Sequence, residues 1–398
     1  MAIHNSIWWG APKKFTTRAA ERKISWLELF YDLVYVIVIS RTTQLLVQHT
    51  SVVGFIDYLY MFAIIFWGWY NGSQYYDLHG TPGVRTRFMT LWQMVAVAAL
   101  AVTLGSQPDK LIFRSTISLA FLQLFITYLW WSVGIYDKEH RKLNVPYTVC
   151  YLISLALIIC SLFAPATEKR VILWLALLLN YLPPFLAFRR YPERANDFSL
   201  SSSMVERLGL MVIIVFGEAI LGVINCIGPL DEISPQVWLC FGLGILITFA
   251  LWWIFFALIA DRESKPGYAA GMTMSVIYIP LIASLGIAGA YFPGVMHQPA
   301  SALNVPRGMY ATGISFFLLS TSALSCFLEY PAEYHGARKL LRVLLFITGA
   351  IILGITLLLP WLPLIAYLLG IFVALLFVIV IITNTWVRVE KNKADENG

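Results

Sequence analysis

Long apolar stretches of about twenty residues alternate with short polar connections along this chain, the spacing of α-helices that cross a hydrocarbon layer about 30 Å thick. They predict helices over residues 26–48, 55–75, 88–106, 111–134, 147–166, 169–188, 205–227, 237–260, 268–292, 307–330, 340–359 and 361–384. Little chain remains between them, so no sizeable water-soluble domain fits. The expected fold class is all-α, a polytopic membrane protein with about twelve transmembrane helices.

A few polar positions interrupt the pattern. Segment Trp26 to Arg41, WLELFYDLVYVIVISR, places Glu28, Asp32 and Arg41 in an otherwise apolar run. Glu28 and Asp32 are four apart, so they share one helical face about 6 Å apart along the axis. A carboxylate in hydrocarbon costs roughly 2.5–3.5 kcal/mol or more unless it is paired, protonated or wetted. Both are therefore expected to face a protein interior or a hydrated cavity. Candidate partners for Glu28 are Arg22, Lys23 and Arg207. Arg41 falls on the opposite side of the helix from Asp32 and is free to snorkel to the interface.

The helix over 205–227 holds the sharpest constellation. Glu206 and Arg207 open it, and Glu218 lies about 18 Å deeper than Glu206. Arg207, Glu218, Gly222 and Asn225 fall roughly on one stripe, with Gly217 beside Glu218. Gly209, Gly217 and Gly222 would let a second helix or a ligand approach the backbone. Two readings stay open for Glu218: a proton- or cation-binding carboxylate, or a hydrogen bond that fixes helix packing. Trp67-Gly68-Trp69-Tyr70 and Trp252-Trp253 read as an aromatic belt or as the wall of a ligand pocket.

Composition agrees with the pattern. The chain is 59% hydrophobic and 13% charged, with mean hydropathy +0.73, against about 45–50% and about 25% for a soluble domain. Charge sets the orientation. With both termini on one side, that side carries 21 Lys and Arg and the other carries 5. The bias places both termini in the cytoplasm, in the cell (inner) membrane. Net charge +6 then describes a cytoplasmic membrane surface, so nucleic acid is not an expected partner. The first 25 residues lack an apolar signal core. Their Lys13, Lys14, Arg18, Arg22 and Lys23 are placed to meet anionic headgroups.

The two halves resemble each other in register. Glu28 corresponds to Glu206, Trp67 to Trp252, and Gln93 to Gly105 aligns with Tyr278 to Ala290. The segment after the fourth helix (Tyr136 to Leu143) matches that after the tenth (Tyr330 to Leu340). The organisation this implies is a basic segment 1–25, a six-helix half 26–188, a linker 189–204, a second half 205–384 and a tail 385–398. Six is even, so the halves form a parallel six-plus-six repeat, a plan used by transporters.

WLELFYDLVYV, together with ERLGLMVIIVFGEAIL (Glu206 to Leu221), resembles the bacterial low temperature requirement A family. The resemblance covers nearly the whole chain. It implies a multi-pass membrane protein linked to growth in the cold. It points to Leu27, Glu28, Phe30, Asp32 and Leu33, and to Glu206, Arg207, Gly209, Gly217 and Glu218. Family members often carry a histidine before the second motif and another in the ninth helix. This chain has Ser203 and Tyr278 nearby, so a relay through those histidines does not carry over.

These residues predict a secondary transporter or ion-coupled permease working through intramembrane carboxylates. The ion- or substrate-binding candidates are Glu28, Asp32, Glu206, Arg207, Glu218 and Asn225. The expected partners are the lipid bilayer and protons or a small solute. The alternative is a non-transport membrane factor (scaffold, sensor or lipid-related) that supports growth at low temperature. No phosphate-binding loop, metal-ligand spacing or nucleophile–base pair is visible, so no catalytic residue, metal, cofactor or enzyme activity is expected. The five cysteines form no CxxC pair and read as small buried residues. The charged stretches after the second and eighth helices, with Asp77, His79, Arg85 and Arg87 in the first, faintly resemble a loop of major facilitator transporters. Ordinary cytoplasmic loops are the other reading.

Overall fold

Ser25 starts the first helix by capping it. Its hydroxyl accepts from the Glu28 amide, and the Glu28 carboxylate reaches back to the Ser25 amide, a reciprocal capping box. A computed structural model of the chain describes residues 10–14, 23–81, 83–105, 108–192, 200–227, 234–260, 262–297, 305–331 and 334–397. Arg18, Arg22, residues 193–199 of the linker, Trp8-Trp9 and Asp261 fall outside them. The helices are α1 (Trp26–Gln48), α2 (Val52–His79), α3 (Val84–Thr103), α4 (Pro108–Tyr136), α5 (Arg141–Ser161), α6 (Ala166–Tyr181), α7 (Pro183–Arg190), α8 (Ser202–Asn225), α9 (Pro235–Ile259), α10 (Tyr268–His297), α11 (Val305–Leu324), α12 (His335–Leu358) and α13 (Leu364–Asn397). Leu182 separates α6 from α7, where consecutive prolines remove two backbone donors. The two pieces together form one span, Glu168–Arg190.

Among the described residues eleven helices are long and apolar enough to cross a membrane. α11 is the exception to the twelve expected. It carries Arg307 and a run of Gly, Ser and Thr, and most of its side chains are covered by protein. A helix surrounded by other helices needs less apolar surface than one facing lipid. α2 also runs further than the sequence pattern suggests. It continues through Asp77 to His79 and stops at Gly80, so those two polar residues sit on a helix rather than in a loop.

The outer faces are apolar, as a bilayer requires. On α1, Phe30, Leu33 and Ile37 are exposed, whereas Glu28, Tyr31, Asp32 and Tyr35 are buried. Water would favour the reverse arrangement; lipid favours this one.

The chain forms two compact units, Met1–Arg207 with Pro266–Met272, and Leu208–Lys265 with Thr273–Gly398. In the first, α1 packs on α2 and α3, α4 on α2, α3 and α5, α6 on α2 and α5, and α7 on α5 and α6. In the second, α9 packs on α11 and α13, and α12 on α11 and α13. There α10 crosses α8 where Gly222 meets Gly289, and crosses α11 where Gly313 meets Ser284 and Ala288. Small residues at such crossings let backbones touch.

Candidate functional site

The carboxylates of α1 point into the first unit, and Arg207 at the start of α8 meets both. Arg207 NH2 donates to Asp32 Oδ1 at 2.5 Å, its Nε to Asp32 Oδ2 at 3.3 Å, and its NH1 to Glu28 Oε1 at 3.3 Å. Two contacts to one carboxylate exploit the planar fork of a guanidinium, which a lysine could not reproduce. All three side chains are buried, with at most 1% exposure. This enclosure makes the pairing strong and makes any broken partner unfavourable.

Other side chains complete the cluster. Trp69 Nε1 donates to Asp32 Oδ1 at 2.7 Å. Glu28 Oε2 accepts from the Ser25 amide at 2.9 Å and the Ser25 hydroxyl at 2.8 Å. The guanidinium carbon lies 5.9 Å from the ring centres of both Tyr31 and Trp69, within cation–π range. Tyr31 donates toward Gln93 Oε1 at 3.1 Å and lies 3.2 Å from the Tyr35 hydroxyl.

Gly72 makes room for it. A Cβ there would collide with the Tyr31 hydroxyl and come within 2.7 Å of Gln93 Oε1. Gly72→Ala is expected to destabilise the protein by roughly 1–3 kcal/mol through overpacking. Adding Tyr31→Phe should return part of the loss. Thermal unfolding of the purified variants checks this; equal midpoints for Gly72→Ala and wild type would refute it.

The remaining predicted residues lie apart from this cluster. Glu206, next to Arg207, is exposed. Glu218 is half-buried, eleven residues or about 16 Å of rise beyond Arg207 on the same helix. It has no hydrogen-bond or ionic partner among the described residues. Asn225 is exposed at the end of α8. Of the three glycines, Gly222 lies against the Gly289 backbone, whereas a Cβ on Gly209 or Gly217 would meet nothing within 4 Å. Arg41 is exposed and reaches Gln44.

Trp69 was not legible as part of the site. Its sequence context suggested belt or pocket wall, but Trp67 and Trp69 are both buried. The Trp67 indole donates to the Asn180 carbonyl at 2.9 Å, just as Trp69 serves Asp32. Trp67 and Trp69 flank Gly68, with Gly72 three residues further on, and that pattern was the available signal. Gln123 and Asn180 exchange amide hydrogen bonds of 3.0 and 2.9 Å in the same unit. Asp77 accepts from Ser201 and Ser203, and buried Arg85 donates to Ser132. All five cysteines are free.

Fold and site together define a multi-pass α-helical membrane protein with a buried ionic cluster between α1 and the start of α8. The family model of the bacterial low temperature requirement A protein (LtrA) matches residues 23–384, and the chain belongs to that family. It is 26% identical over 289 residues to a Rhizobium meliloti (strain 1021) protein described as "Uncharacterized protein RA0937", covering 67% of this chain and 68% of that one.

Proposed function

We propose that this protein is an ion-coupled secondary transporter of the cell membrane and that Glu28, Asp32 and Arg207 hold its coupling proton. One observation carries the reading. Two fully buried carboxylates meet one guanidinium inside membrane-spanning helices, and ionisable groups so placed mark ion and proton pathways. A proton taken up by Asp32 would weaken its bond to Arg207. Its arrival and departure would change how tightly α1 holds α8. Half-buried Glu218, further along α8, is a second station for the same ion or for solute.

The packing order supports the six-plus-six repeat, with halves over 26–188 and 205–384, and the bias of Lys and Arg supports both termini in the cytoplasm. Six neighbour pairs, α1–α3, α2–α4, α3–α4, α4–α5, α5–α6 and α2–α6, have counterparts in α8–α10, α9–α11, α10–α11, α11–α12, α12–α13 and α9–α13. Parallel repeats of this kind suit alternating access. In this reading the chain is not an enzyme.

The test is proton and solute flux in proteoliposomes. Asp32→Asn and Glu218→Gln are expected to insert normally and to lower proton-coupled flux at least about tenfold, the usual reach of one lost ionisable interaction. Wild-type flux in both would end the role given to these carboxylates, and no flux in the wild-type protein would end the transport reading. The full burial of the cluster favours a second reading, a non-transport membrane factor in which the ions lock helices together. That reading expects both substitutions to lower thermal stability with no flux in any form.

A further inference from the structure

A second polar place lies in the first unit, away from the ionic cluster. It is a crevice where the ends of α2, α4 and α7 meet the starts of α5 and α10. Two buried polar atoms that line it have no partner among the described residues: the indole N–H of Trp130, 3% exposed, and the carboxamide oxygen of Asn144, 5% exposed. Buried polar groups in folded proteins are almost always satisfied, so a donor and an acceptor left open in one crevice indicate an occupant. The Asn144 orientation is fixed, because its NH2 group already donates to the Trp130 carbonyl.

The walls define the occupant's chemistry. Trp130 stacks on Tyr147 with ring centres 4.6 Å apart and planes at 13°, making a flat apolar floor. His79 stands edge-on to Trp130. Its Nδ1 lies 2.9 Å from the Lys13 carbonyl oxygen. A carbonyl can only accept, so Nδ1 carries the proton, and in the neutral form of the ring Nε2 is the acceptor. Among the described residues no carboxylate, lysine or arginine lines the crevice, and His140, which does, is already engaged by Asp137 at 3.0 Å. A charged ligand would therefore find no counter-ion, and a wholly apolar one would leave both open atoms unmet.

We infer that this crevice binds a small, flat, uncharged molecule of the primary carboxamide or urea class. Its carbonyl oxygen accepts from the Trp130 indole. One N–H is donated to Asn144 Oδ1 and the other to His79 Nε2. The crevice leaves about 20 Å³ for the centres of water-sized molecules, more than a single water requires. Water fills it when the solute is absent. The inference does not depend on the transport reading.

The test uses the full chain in lipid nanodiscs, labelled with 5-fluorotryptophan and observed by fluorine NMR. Trp130→Phe assigns the Trp130 signal. Acetamide is expected to move that signal saturably and to leave Trp67 and Trp69 unmoved, since their indoles are already engaged. Acetate, methylammonium and N,N-dimethylacetamide should each fail to do so. Asn144→Leu should weaken acetamide binding about tenfold, the equivalent of one lost hydrogen bond. The series of probes on the wild-type protein decides the matter even if Asn144→Leu does not fold. A charged or fully methylated probe that matches acetamide would overturn the inference. So would a shift that does not saturate, or water as the sole occupant, read as no shift with any probe.

Discussion

Arg207→Met is expected to remove this protein from the membrane fraction. The substitution leaves two buried carboxylates without their shared cation, and breaking a buried pair in this way destabilises by about 3–5 kcal/mol. Methionine has nearly the length of the lost stem, so the loss of charge rather than of volume drives the effect. The combined Glu28→Gln, Asp32→Asn, Arg207→Met variant should recover most of the stability, because replacing a whole buried ionic cluster by neutral groups is often neutral. Membrane abundance and thermal unfolding in detergent measure both. A wild-type unfolding midpoint for Arg207→Met would show that the cluster carries no energy. The combined variant also separates the two functional readings. A transporter that needs the cluster's proton would be folded and inactive, whereas a factor that needs only a locked helix pair would be folded and functional.

Gly222→Ala should destabilise, whereas Gly209→Ala and Gly217→Ala should not. Alanine in place of glycine gains about 1 kcal/mol in a helix interior from intrinsic propensity alone. At Gly209 and Gly217 nothing lies within 4 Å of the added carbon, so that gain stands unopposed. At Gly222 the added carbon strikes the Gly289 carbonyl oxygen, and from the other side a carbon on Gly289 would sit 2.6 Å from Ala219 Cα. These are backbone atoms, so α8 and α10 must separate. Overpacking of this kind costs about 1–3 kcal/mol, enough to reverse the sign. Unfolding midpoints of the three variants test the contrast. A Gly222→Ala protein as stable as the other two would mean that the helices do not cross there.

Much of the fold was legible because lipid imposes a simple rule. An apolar run of about twenty residues must be a spanning helix, since no other open structure satisfies its backbone in hydrocarbon. The signal is weakest at α11, which the pattern still predicts as a helix but whose Arg307 is buried and donates to the carbonyls of Pro360 and Leu362. There protein takes the place of lipid, and the hydropathy signal weakens. The rule missed the end of α2, where Asp77 and His79 extend the helix because side chains and backbone of other segments satisfy them.

Part of the site could be read in the same way. Glu28 and Asp32 stood out because charge in hydrocarbon demands a reason, and Arg207 was among the partners the spacing allowed for Glu28. The sequence by itself determined a membrane-spanning helical protein with acidic groups on the inner face of α1. The tertiary structure decided that one guanidinium closes on both acids, that Trp69 completes the shell, that Glu218 stands apart and that Gly222 alone of the three glycines meets another backbone. Helical period fixes which residues share a face, but which face meets which neighbour depends on contacts between residues far apart in the chain, and local pattern holds no record of them.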